Sequence, residues 1–212
     1  MVKNNLEFFD KEYSLLNQFT VALSVLSLAV YTVALCRYNA GELFAYSFWK
    51  SIQIIPFIVL LLCTVTVNYI KKPRLCLSVS QFSNVIMMLF NLIFFGQMTY
   101  TNAYYETIRL LFYDSRYIKL SLIITFAFGL FALLAMIHGN QFWCRLYYSL
   151  NILFYAVMFM YMFFDDCKVE SDIAMSVAYL LYNISNFVFS YNLKTHNNPS
   201  KSNTGRVVYA KE

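Results

Sequence analysis

Residues 51–70 carry no charged side chain, and Lys71, Lys72 and Arg74 follow within four positions. A run of about 20 such residues, at about 1.5 Å rise each, covers the roughly 30 Å hydrocarbon core of a bilayer. Basic residues directly behind an apolar run are held on the cytoplasmic side. One span and its direction are therefore read together, and the rest of the chain follows from them.

Composition excludes the soluble alternatives. The chain is 60% hydrophobic and 13% charged over 212 residues, whereas soluble domains run near about 45–50% and about 25%. With 5 Gly and 3 Pro it is neither collagen-like nor linker-like. Aromatics reach 19%, mostly 21 Phe and 18 Tyr, which suits lipid-facing and interfacial surface. The net charge of +5 does not indicate nucleic-acid affinity, because the 16 Lys and Arg are scattered at the ends of apolar runs. A basic stripe interleaved with aromatics is missing, so no nucleic-acid partner is expected.

Five further apolar runs complete the pattern. The expected fold is an all-α integral membrane protein, a six-span transmembrane helix bundle with spans at residues 18–36, 51–70, 75–98, 118–137, 146–164 and 173–192. Residues 1–17 are mixed and polar and are expected as a cytoplasmic N-terminal segment at the membrane surface. They are not a secretory leader, since Glu7, Asp10 and Glu12 precede the apolar run and no small-residue cleavage site follows it. Between spans three and four, residues 99–117 alternate charge with apolar residues and carry Tyr104, Tyr105, Tyr113 and Tyr117, which predicts a short interfacial helix. Residues 138–145 predict a tight turn that makes spans four and five an antiparallel hairpin. Residues 165–172 form an acidic loop without EF-hand spacing. Residues 193–212 are Asn/Ser-rich and expected as a disordered cytoplasmic tail.

Polar residues inside the spans mark the faces that turn inward. Thr20, Ser24, Ser27 and Tyr31 recur at spacings of three and four, a face of mostly small hydroxyl side chains on which another helix packs closely. Pro56 predicts a kink early in span two. Span three is the most polar, with Asn84 and Asn91 seven apart, and span six carries Asn183 and Asn186 three apart, with Ser190 a turn further on. Asn84, Asn91, Asn183 and Asn186 are therefore expected to form an interior polar seam, with hydrogen bonds worth about 0.6–2 kcal/mol each. Asn151 reads as packing within span five, and span four, nearly free of polar residues, is expected to meet the most lipid.

Six spans put both termini on one side. With that side cytoplasmic, ten of the 16 Lys and Arg fall inside and six outside, which supports both termini in the cytoplasm. Cys36 and Cys167 then share the outer face and are the disulfide candidates, while Cys76 and Cys144 at the cytoplasmic boundary are the lipidation candidates.

No chemistry is evident. The spans hold no Asp, Glu, Lys, Arg or His away from their ends, His138 and His196 lack a metal-ligand partner at workable spacing, and Gly96 and Gly129 are isolated. No catalytic residue, metal or cofactor is expected. The reading is a non-catalytic multi-pass protein that acts through contacts with the lipid bilayer and with other membrane proteins or itself. A small-solute transporter or channel with an amide-lined path is the alternative, and a lipid-modifying membrane enzyme is third.

Overall fold

The computed structural model describes residues 2–38, 51–70, 72–93, 115–164 and 170–197. Among the described residues all regular structure is helical, in six helices: α1 (Val2–Tyr38), α2 (Ile55–Ile70), α3 (Pro73–Ile93), α4 (Ser115–Ile137), α5 (Phe142–Phe164) and α6 (Glu170–Asn197). Each packs on its neighbour in sequence, and α6 returns to α1 in the most extensive pairing of all, so the six form a closed ring with α3 reaching α6 across it. Neighbours run antiparallel: Asn17 meets Asn68 while Tyr31 meets Phe57, and Arg145 meets Ser190 while Tyr155 meets Tyr179. The start of the α1 packing seam, the α2–α3 link, the α4–α5 turn and the end of α6 therefore share one end of the ring.

Local sequence explains where several helices begin and end. Pro56 and Pro73 sit in the first turns of α2 and α3, where a missing backbone N–H costs nothing. Ser51 and Ile52 are helical and residues 53–54 form a turn, so the chain is interrupted just ahead of Pro56, where α2 starts. The α4–α5 turn is tighter than expected, residues 138–141, and α5 absorbs 142–145. Gly139 has a φ of 92°, Asn140 N donates to Ala135 O at 2.8 Å and Gly139 N to Met136 O at 3.0 Å, a Schellman closure. Asn140 Oδ1 then accepts from Phe142 N at 3.1 Å as α5 begins.

Three boundaries differ from expectation. The polar segment 2–17 is helix continuous with α1, and α6 runs on to Asn197 into the expected tail. α4 starts at Ser115, inside the expected interfacial segment, whose remainder (99–114) lies outside the described residues, as do 165–169 and 198–212. Two segments are long and apolar enough to cross a membrane, Leu15–Cys36 and Ile173–Tyr191, whereas Ile55–Ile70 and Ile123–Ile137 are apolar but shorter. By that measure the six expected crossings narrow to two among the described residues.

Polarity is distributed inside out. Among the described residues fourteen polar side chains are buried, none of them charged, while thirty large hydrophobic ones are exposed. The exposed set recurs along α1 to α5, as at Val25 and Val33, Leu62, Phe82 and Ile86, Leu130 and Phe131, and Leu153 and Val157, whereas α6 contributes Tyr191 alone among its described side chains.

Candidate functional site

The interior polar residues form two hydrogen-bonded clusters and one aromatic layer. The first cluster lies between α1, α2 and α6. Asn17, Thr20, Ser24, Ser27, Tyr31 and Ala34 repeat at three and four on α1, and all are buried. The four-residue face expected from the sequence is therefore inside. Ser24 Oγ lies 2.9 Å from Ser185 Oγ on α6, Ser185 Oγ donates to Thr20 O at 3.2 Å, and Thr64 Oγ1 on α2 donates to Ser24 Oγ at 3.4 Å. At the end of the ring Asn17 Nδ2 donates to Asn68 Oδ1 at 2.6 Å. Thr20 Oγ1 and Ser27 Oγ donate back to carbonyls of their own helix, at Leu16 and Ser24, so these hydroxyls are satisfied without water.

The second cluster is organised by α3. Ser80 Oγ donates to Asn186 Oδ1 on α6 at 2.8 Å, and Asn84 Nδ2 donates to Tyr147 OH on α5 at 3.0 Å. Gln81, fully buried, donates through Nε2 to Gly129 O on α4 at 3.1 Å and accepts at Oε1 from Tyr148 OH on α5. One amide thus joins three helices. Gly129 leaves room for the Tyr147 ring, since a Cβ on it would lie 3.3 Å from that ring and make it shift by a few tenths of an ångström.

The expected seam is placed as follows. Asn84, Asn183 and Asn186 are buried; the Asn91 position lies on α3, its side chain outside the described residues. Asn186 reaches α3 through Ser80, but Asn84 turns to α5. Asn183 Nδ2 donates to Tyr179 O of its own helix at 2.7 Å. Asn151 likewise donates to Tyr147 O within α5. The α3–α6 link is therefore made by the Ser80–Asn186 pair. Gln81, Tyr147 and Tyr148 carry as much of the network as the asparagines.

Away from the basic end, the interior is aromatic. Tyr31 stacks on Phe57 at 4.6 Å, Phe57 meets Tyr179 at 5.3 Å and Tyr182 at 4.9 Å, and Tyr155 stacks on Tyr179 at 5.3 Å. Tyr179 OH donates to Gln53 Oε1 at 2.8 Å. Gln53 Nε2 and Tyr182 OH are buried without a hydrogen-bond partner among the described residues.

Of the cysteines, Cys36 is an exposed free thiol and Cys167, its expected partner, lies outside the described residues. Cys76 and Cys144, the lipidation candidates, are buried, Cys144 completely. No group of three His, Cys, Asp or Glu able to hold a metal ion occurs among the described residues. Comparison with protein-family models, with curated proteins and with solved structures gives no match to this chain.

Proposed function

We propose that this chain is a six-span membrane bundle that acts without catalysis, through contacts with other membrane proteins or with lipids. The inside-out polarity carries the reading. A soluble monomer rarely exposes contiguous apolar patches beyond a few hundred Å², yet here large apolar side chains are exposed along α1 to α5 while uncharged polar ones are buried. Lipid makes that arrangement favourable, since hydrogen-bonding groups must find partners inside the bundle. The ring supports the orientation as well: its antiparallel order brings the first and last helices to the end that holds Lys72, Arg74 and Arg145, the side that the Lys/Arg bias marks as cytoplasmic.

The interior amides bond one another, a backbone carbonyl or a tyrosine, which favours packing over a solute path and leaves the apolar exterior as the working surface. A second reading, passage of a small neutral solute, is favoured by Gln53 Nε2 and Tyr182 OH, buried polar atoms without a hydrogen-bond partner among the described residues. Crosslinked complexes, gently solubilised and analysed by mass spectrometry, separate the two. A stoichiometric membrane-protein partner or a defined set of retained lipids is the expected result. A bare chain that conducts solute in liposomes, with flux lost on Gln53→Leu, replaces assembly by transport.

A further inference from the structure

We propose that the end of the bundle where the α2–α3 link meets the α4–α5 turn binds the phosphate headgroup of an anionic phospholipid. The proposal rests on the membrane reading and specifies the lipid. Lys72 immediately precedes α3, Arg74 is its second residue, and Arg145 is the fourth residue of α5. These two helix starts are brought together: a Cβ on Gly139 would lie 3.5 Å from Arg74 Nη2, and Gln141, two residues further on, accepts from Arg145 Nη2 at 2.9 Å.

Cations at helix N-termini face the positive end of the peptide dipole, a position that favours anions. Residues 51–105 and 115–164, which contain α2, α3, α4 and α5, hold no Asp or Glu. Glu7, Asp10 and Glu12 lie on α1 ahead of its packing seam, on the side of the ring that carries these basic residues, and Glu170 and Asp172 open α6 at the far end. Lys72, Arg74 and Arg145 form no ion pair among the described residues, and Lys72 and Arg74 form no hydrogen bond there either. Arg145 is held in place by Ser190 O at 3.0 Å and by the Tyr191 ring 4.4 Å below its guanidinium carbon.

The Arg74 guanidinium and the Lys72 ammonium at the start of α3 match a phosphate, which Arg binds through paired N–H donors, while Arg145, whose Nε and Nη2 are engaged by Ser190 and Gln141, adds positive charge beside them. Ile70, Ile137 and Phe142, all exposed around this end, provide the apolar border that acyl chains require. A lipid therefore satisfies both halves of the surface, the basic end and its apolar margin.

Trp143 reports on this site, because it lies in the first turn of α5 between Phe131 and Phe142. The chain has 2 Trp, so Trp49→Phe leaves Trp143 as the sole fluorophore. The full-length protein is reconstituted in vesicles containing either dibrominated phosphatidylserine or dibrominated phosphatidylcholine at equal mole fraction. The serine lipid is expected to quench Trp143 preferentially, and Lys72→Gln with Arg74→Gln to lower that preference about tenfold at low salt. Arg74→Lys should retain most of it, and quenching of the double variant by the choline lipid serves as its fold control. Equal quenching by both lipids, or a preference unchanged in the double variant, overturns the headgroup site and leaves the membrane reading standing. Quenching by neither lipid overturns both.

Discussion

The α1–α6 and α3–α5 contacts solve one problem at two spacings. Between α1 and α6 the polar groups are short hydroxyls, Ser24 and Ser185, whose oxygens meet directly at 2.9 Å. Between α3 and α5 they are amides and phenols, Asn84 with Tyr147 and Gln81 with Tyr148. Short side chains let backbones approach and make the packing itself the stabilising term; long ones bridge a wider gap and leave the hydrogen bond as the term that fixes register. Polarity inside a bundle is thus compatible with either a close or a wide interface, and side-chain length decides which.

Substitutions that add volume should expose this difference most strongly. Ser24→Leu is expected to lower stability by about 3 kcal/mol, because no space exists beside Ser185, while Ser24→Ala should change it by less than about 1 kcal/mol. Unfolding in mixed micelles followed by circular dichroism measures both; a Ser24→Leu protein as stable as Ser24→Ala would remove the distinction between the interfaces. Gly129→Leu is expected to cost about 2 kcal/mol by displacing the Tyr147 ring, with Gly129→Ala milder since a Cβ meets that ring at 3.3 Å. The smallest effect belongs to the wide interface. Asn84→Leu should cost about 1 kcal/mol, and a double-mutant cycle with Tyr147→Phe should return a coupling near about 0.6 kcal/mol. A coupling of zero would mean that the phenol finds its hydrogen bonding elsewhere.

Several features were readable in the sequence because they are local. The spacing of Thr20, Ser24, Ser27 and Tyr31 fixes a single face of a helix whatever packs on it, and that face is buried. The Gly139 turn was readable for the same reason, since closing a helix in the left-handed region favours glycine. The tyrosines were not readable. Tyr147, Tyr148 and Tyr182 have the side chain that also populates membrane interfaces, and nothing along the chain separates an inward phenol from an outward one. Nor does any residue spacing indicate that Gln81 bonds a backbone carbonyl at Gly129.

The sequence by itself determined that the chain is helical, where most of its helices run, and that uncharged polar residues interrupt otherwise apolar surfaces. Those properties follow from hydrophobic runs, proline and glycine positions and side-chain chemistry, all set within a few turns. Only the tertiary structure decided the partners: Ser80 rather than Asn84 for Asn186, Tyr147 for Asn84, and one glutamine shared by three helices. Partner choice depends on the axial offset and rotation of whole helices, quantities summed over every contact in the ring and carried by no single segment of the chain.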